Sequence, residues 1–223
     1  MITVHHLNNS RSQRVLWLLE ELGLPYEVIR YERDAKTLLA PPELLSVHPL
    51  GKSPVITDHG VTVAESGAIV EYLVGTYGAG RLIPPAGTRE RLRYMYWLHY
   101  AEGSAMPPLL LKLVFDRVAS APIPWPMNAM ARRIAATVQR TFIGPQLERH
   151  LDYLESELAQ RPWFAGAEFS AADVQMSFPL EAARARAGLD GRRPSLIAFL
   201  DRIHARGAYQ RALARGGPYS FVD

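Results

Sequence analysis

The sequence predicts an α+β chain in two parts, a small mixed unit followed by a larger all-helical one. Three observations predict it. In the first 76 residues, short strand-like and helix-like patterns alternate in the order β-α-β-loop-β-β-α. A Gly/Pro-rich stretch from Tyr77 to Gly87 then breaks both periodicities. Beyond it, the apolar positions recur at helical spacing. These patterns divide the chain into a first unit at 1–78, a linker at 79–88 and a helical unit at 89–223.

Ile2 to Leu7 reads as a strand, and Gln13 to Leu22 as a helix with Val15, Leu18, Leu19 and Leu22 on one face, stopped by Gly23. Pro25 precedes a second strand from Tyr26 to Ile29. After the turn-rich Ala40-Pro41-Pro42, two short strands, Pro54 to Thr57 and Val61 to Ala64, flank Asp58-His59-Gly60, which makes them an antiparallel hairpin. A helix from Ser66 to Thr76, with Ile69, Val70 and Leu73 inward, closes the unit. The helical unit reads as Arg89 to Ala119 with a kink at Pro107-Pro108, Ala129 to Ala159, Ala171 to Ala187 and Ser195 to Ala205. One helix start is fully specified: Ser170 stands at the N-cap and Asp173 three residues on, between Phe169 and Val174 at staple positions.

Composition narrows the function. The 223 residues are 48% hydrophobic and 21% charged, enough to bury a sizeable core and too apolar for wholesale disorder. No apolar run approaches the ~18 residues of a membrane span; the best, Met106 to Phe115, carries Lys112. The segment Met1 to His6 has no leader features, which predicts a cytoplasmic protein, and the sequon Asn8-Asn9-Ser10 then carries no glycan. With no cysteine, the chain has no disulfide, thiolate nucleophile, iron–sulfur cluster or cysteine-zinc site. Any sulfur chemistry must use a ligand's sulfur. Residues 1–80 hold 6 basic and 9 acidic side chains, and the rest hold 19 and 13. The eight arginines from Arg184 to Arg215 lack aromatic interleaving, so they read as a solvated helical surface and not as a nucleic-acid face.

Gly51-Lys52-Ser53 ends like a phosphate-binding loop, but Ser46 stands where that loop needs glycine and a strand follows in place of a helix. The seven histidines show no metal-ligand spacing, and neither GxSxG nor GxGxxG is present. Three polar clusters remain in the first unit. Asn8-Asn9-Ser10-Arg11-Ser12 precedes the first helix, where free N–H groups favour an anion or thiolate, or where Ser10 or Ser12 caps the helix. His48 to Val55 leads into a strand through Ser53-Pro54, a bond trans in most X–Pro pairs. Glu65-Ser66 stands directly before a helix, with Ser66 as the natural N-cap.

Together with Arg14-Val15-Leu16-Trp17-Leu18-Leu19-Glu20-Glu21-Leu22-Gly23 and the capping box, these clusters resemble the cytosolic glutathione S-transferase family over nearly the whole chain. They look closest to bacterial and fungal members of serine type that carry Ser-Arg-Ser at the first helix. The resemblance implies a thioredoxin-like N-terminal domain followed by an all-α domain. It also implies conjugation of glutathione thiolate to small hydrophobic electrophiles, with glutathione-dependent peroxidase activity beside it. The alternative is a non-catalytic glutathione-fold interaction module. Glutathione is then a cosubstrate, no metal is needed, and a homodimer with no nucleic-acid or membrane partner is implied.

Residue by residue, the resemblance implies a cis Pro54 that turns the Ser53 backbone to the ligand's cysteine. Glu65 would face the γ-glutamyl ammonium, Ser66 its carboxylate and Lys52 the glycine end. The family usually has a branched apolar residue where Ser53 stands. Ser10 is implied as the hydroxyl that activates the thiol, with Asn9 and Ser12 as rivals. By position at the start of the helical domain, Tyr96, Tyr100, Met106 and Trp125 are the expected electrophile pocket, or else ordinary core.

Overall fold

The computed structural model describes residues 1–34 and 36–221; Ala35 and the last two residues of the predicted helical unit lie outside the described residues. Ile2–Leu7 forms β1, Ser12–Leu22 forms α1 and Tyr26–Tyr31 forms β2. The second strand outruns its prediction because Arg30 and Tyr31 continue the ladder against His6 and Leu7. Val55–Asp58 (β3) and Val61–Ala64 (β4) make the hairpin. Its two central residues, His59 and Gly60, have φ of 47° and 83°, the hand that matches strand twist in a two-residue turn. The sheet runs β2-β1-β3-β4, with β1 parallel to β2 and antiparallel to β3. This is a thioredoxin-like mixed sheet. Leu44–Val47 adds a single-turn helix, α2, inside the stretch that reads as irregular, and Ser66–Tyr77 forms α3. One turn is too short for any periodicity to announce.

The rest is all-helical: Arg89–Tyr100 (α4), Met106–Ser120 (α5), Met127–Val138 (α6), Gly144–Gln160 (α7), Ala171–Arg186 (α8), Pro194–His204 (α9) and Gly207–Gly216 (α10). Two π segments interrupt the expected long helices, Ala101–Ala105 between α4 and α5 and Gln139–Ile143 between α6 and α7. The break expected at Pro107-Pro108 therefore falls one turn earlier. Prolines 107 and 108 offer no amide to the carbonyls four residues back, so the widened turn lies before them. Pro145 stands in the same relation to the second segment, which the sequence reading missed.

Two further corrections concern α1 and α10. The pattern gives α1 one buried face, yet Ser12 to Leu19 are all buried, Leu16 and Trp17 completely. The far face is covered by α8 and by α10, a helix absent from the prediction. The buried side of α10 is Ala208, Tyr209, Ala212 and Gly216, too poor in large apolar residues to form a stripe. A Cβ on Gly216 would stand 2.3 Å from Gln13 Oε1, so the two helices touch through a bare backbone.

The terminal arginines are also not simply solvated. Arg206 forks onto Glu21 at 2.6 and 2.8 Å, and Arg211 meets Glu20 at 2.7 Å. Arg193 is buried against Glu148 and Asp152. Arg206 and Arg211 thus neutralise acidic residues of α1, while Arg193 pairs with α7. One continuous core joins the two parts, from Val4, Ile56, Leu19 and Ile69 to Trp97, Phe164, Val174 and Phe199. Among the described residues no helix is long and apolar enough to cross a membrane.

Candidate functional site

Three loops converge where β1 and β4 end and β3 begins, and with one side chain from the first π segment they wall a cleft of about 210 Å³. Its lining includes Lys52, Ser53 and Pro54 from the loop before β3, Glu65 and Ser66 from the start of α3, Arg11 from the start of α1, and Glu102.

Local chemistry positions each group. Gly51 turns the loop at φ 55°, a conformation that favours glycine, while a Cβ there would only push aside the exposed Leu45 side chain, 2.8 Å away. Ser53 Oγ donates to the His5 carbonyl at 2.8 Å and accepts from the Leu7 amide at 3.3 Å. This explains serine at that position: its hydroxyl is spent on the end of β1, and the loop is pinned there. The Ser53–Pro54 bond is cis.

At the third loop, Glu65 sits at φ 70°, ψ 126°, a left-handed conformation that costs a non-glycine residue of order 1 kcal/mol or more. Its carbonyl accepts from the Ile69 amide at 2.9 Å, so Glu65 holds the N-cap position and the buried Ser66 is the first helical residue. Ser66 is therefore not the N-cap that the sequence suggests. No side chain caps α3. Its leading amides and positive helix end are left for an anion, beside the exposed Glu65 carboxylate.

The fourth wall is ionic. Glu102 takes both Arg14, which is fully buried and also donates to the Gln175 carbonyl at 2.6 Å, and Arg11 at 3.0 Å. Burial pushes the Glu102 carboxyl upward, but the Arg14 and Arg11 guanidiniums outweigh it and hold it below its ordinary value. Arg11 lies 5.5 Å over the Phe178 ring.

The cleft gathers Lys52, Ser53, Pro54, Glu65 and Ser66 as the sequence reading grouped them, but Asn9, Ser10 and Ser12 are not among its lining residues. Ser10 is buried, and its hydroxyl pairs with Ser12 Oγ at 2.7 Å and accepts from the Ser12 amide at 3.2 Å. Ser12 Oγ in turn meets His6 Nδ1 at 2.8 Å. Burial, then the charge of Arg30, lowers His6 to about 4, against a hydrogen bond to the Gly216 backbone that favours protonation. Asn9 gives its carbonyl oxygen to the Ser220 amide at 2.7 Å and hydroxyl at 3.0 Å.

The four expected electrophile-pocket residues do not come together. Tyr96 and Tyr100, one helical turn apart, pack at tilted or edge-on angles in a cluster with Trp97 and with Tyr153 of α7. Trp125 is 79% exposed. Met106 packs in a small cluster with Phe178, Tyr219 and Phe221. Sequence reasoning missed Arg11 and Glu102 as cleft residues. Arg11 stands between two serines with the more obvious hydroxyl chemistry, and Glu102 carries no local signal. Among the described residues no three His, Asp or Glu side chains are grouped to hold a metal ion.

Comparison with known proteins agrees with this frame. Residues 1–75 match the family model described as the glutathione S-transferase N-terminal domain, and residues 135–202 the corresponding C-terminal domain. The chain is 40% identical over 186 residues to glutathione S-transferase 3 of Schizosaccharomyces pombe, covering 82% of this chain and 75% of that one. It superposes with a TM-score of 0.83 on a glutathione S-transferase structure from Actinobacillus pleuropneumoniae, 30% identical, covering 100% of this chain and 96% of that one. A sphingomonad glutathione S-transferase structure complexed with glutathione is 25% identical, with a TM-score of 0.73 over 96% of this chain and 98% of that one. The order of the two matched domains, and a relative this similar over four-fifths of the chain, settle the membership: the chain belongs to the glutathione S-transferase family.

Proposed function

We propose that the cleft binds glutathione and that the protein is a glutathione transferase, joining the glutathione thiolate to small apolar electrophiles and acting on hydroperoxides as a second reaction. The observation that carries this reading is the convergence of Lys52, Ser53, Pro54, Glu65 and Ser66, distant in sequence, on one cleft. In this reading Ser66 and the uncapped amides of α3 take the γ-glutamyl carboxylate, and Glu65 takes the neighbouring ammonium. The Ser53 backbone pairs with the cysteine residue like a strand edge, and Lys52 faces the glycine carboxylate. The thiol then lies toward the turn Asn9–Ser12.

The chemical demand on that turn is modest. A thiol of pKa ~8.5 is only about 3% ionised at pH 7, and lowering it by about two units takes ~2.7 kcal/mol. The electrophile meets the apolar cluster of Met106, Phe178, Tyr219 and Phe221, whose Phe178 lies beneath Arg11. The same reading takes 1–78 as the glutathione-binding domain, 79–88 as linker and 89–223 as the helical domain, in a cytoplasmic homodimer. Leu92, Met95 and Tyr96 support the dimer, for they share one face of α4 and stay exposed.

Thermal melting with glutathione, followed by turnover on a panel of electrophiles and hydroperoxides, tests the proposal. Glutathione at a hundred times its dissociation constant should stabilise by about 2.7 kcal/mol, a rise in Tm of roughly 5–10 °C for a chain of this size. Stabilisation with no turnover on any member of the panel would make the protein a binding module instead. No stabilisation would refute the site.

A further inference from the structure

We infer that Arg11, and not a hydroxyl of the Asn9–Ser12 turn, is the group that faces the glutathione sulfur and holds it as thiolate. The inference rests on reading the cleft as the glutathione site. Ser10 Oγ is turned into a buried cluster: it lies 2.7 Å from Ser12 Oγ and accepts from the Ser12 amide at 3.2 Å, and Ser12 Oγ in turn meets His6 Nδ1 at 2.8 Å and the Leu7 carbonyl at 3.3 Å. Ser10 is buried, and neither Ser10 nor Asn9 lines the cleft.

Arg11 has the opposite placement. Its side chain is 33% exposed and lines the cleft, with Nε on Glu102 and its guanidinium set over the Phe178 ring. Two guanidiniums, Arg11 and the buried Arg14, share the one carboxylate of Glu102, so this wall carries a net positive charge. An arginine has five N–H donors, and Arg11 Nε meets Glu102 at ion-pair distance, 3.0 Å, without the alignment of a hydrogen bond, so its donors stay available to a ligand. The other charged groups around this wall are Lys52 and Glu65 across the cleft and Arg33, which feels the charges of both Arg11 and Arg186; the His48 imidazole also lines the cleft. Of the cations, Arg11 stands at the start of α1, where the positive helix end adds to it.

The step is an ordinary substitution. The thiol proton leaves to solvent, the sulfur lone pair forms a bond to the electrophilic carbon, and the leaving group departs with its own electron pair. Arg11 stabilises the charge on sulfur before the bond forms and neither gains nor loses a proton. A cation within ~4–6 Å lowers the pKa of an acid by ~1–3 units.

Ultraviolet titration of the bound thiolate, with glutathione affinity by calorimetry, tests this in the wild type, Arg11→Met, Arg11→Lys and Ser10→Ala. Methionine keeps the apolar stem over Phe178, and lysine keeps the charge. Arg11→Met should raise the pKa of the bound thiol by at least one unit and slow conjugation at pH 7 about tenfold, with affinity changed less than threefold. Arg11→Lys should recover part of the shift, and Ser10→Ala should leave the thiol pKa where it was. An unmoved pKa in Arg11→Met, or a rise of one unit in Ser10→Ala, overturns the assignment while leaving the cleft as the glutathione site. Failure of the wild type to bind glutathione overturns both.

Discussion

At the start of α8, Asp173 accepts from the Ser170 amide at 2.8 Å, from the Ser170 hydroxyl at 3.1 Å and from the Phe164 amide at 2.8 Å, all in a buried setting. At the start of α3, Glu65 is bent to φ 70°, its carboxylate is exposed, and no side chain caps the helix. Both helices carry the same unpaired amides and the same positive end. One end is closed by the chain itself and the other is left open with strain at its cap. Closure stabilises the fold, and an open end keeps the amides for a ligand. Each of the two is therefore testable by a change that should move stability in one and affinity in the other.

The largest effect should come from breaking the closed end. Asp173→Ala keeps the Ser170 N-cap but leaves the Phe164 and Ser170 amides buried without an acceptor. Each orphaned buried donor costs about 1–3 kcal/mol. The expected loss is about 4 kcal/mol, read as a fall in Tm of roughly 8–16 °C, while glutathione affinity measured well below melting stays within twofold. A Tm within 3 °C of the wild type would mean that the capping box stabilises little.

The α1 start lies between these extremes, and it has a pH dependence of its own. His6 is held neutral beneath it, with its pKa lowered to about 4, first by burial and second by Arg30. The unfolded histidine takes up its proton near 6.5. Between those values the unfolded state binds more protons, so stability is lost as pH falls from 6.5 toward 4. The full window corresponds to about 3 kcal/mol. Urea melts across that range should show this loss in the wild type and a flatter curve in His6→Gln. Parallel curves would remove His6 from the acid response.

Much of this contrast was legible in the sequence, and the reason is locality. The capping box, the His59-Gly60 turn and the cluster Lys52-Ser53-Pro54 are set by neighbours within a few residues. The uncapped α3 was not legible, because Ser66 has the chemistry of a cap and only the bend at Glu65 moves it inside the helix. Arg11 and Glu102 meet across the two parts of the chain, and their pairing depends on a π segment that the prolines at 107 and 108 place but do not name. Helix α10 was missed because its buried face is Ala, Gly and one Tyr. Of Tyr96, Tyr100, Met106 and Trp125, only Met106 stands in the apolar cluster beside Arg11, and the others went elsewhere for a related reason. Helical spacing says which residues share a face and not what the face meets.

The smallest and most discriminating change is at the open end. Glu65→Gly removes the side chain that faces the proposed ammonium and, at the same time, the penalty of a left-handed residue. Stability should rise by about 1 kcal/mol, or roughly 2–4 °C in Tm without ligand. Glutathione affinity should fall tenfold or more, since a charged hydrogen bond contributes about 1.5–3 kcal/mol. Glu65→Ala separates the two effects, for it loses the carboxylate but keeps the strain. It should bind as weakly as glycine and melt no higher than the wild type. If glycine raised neither stability nor the dissociation constant, the bend at Glu65 would be an ordinary loop conformation, and the contrast with α8 would lose its functional meaning. If stability rises while affinity falls, the strain is retained because the carboxylate must stand beside the open amides, and a residue without a side chain cannot place it there.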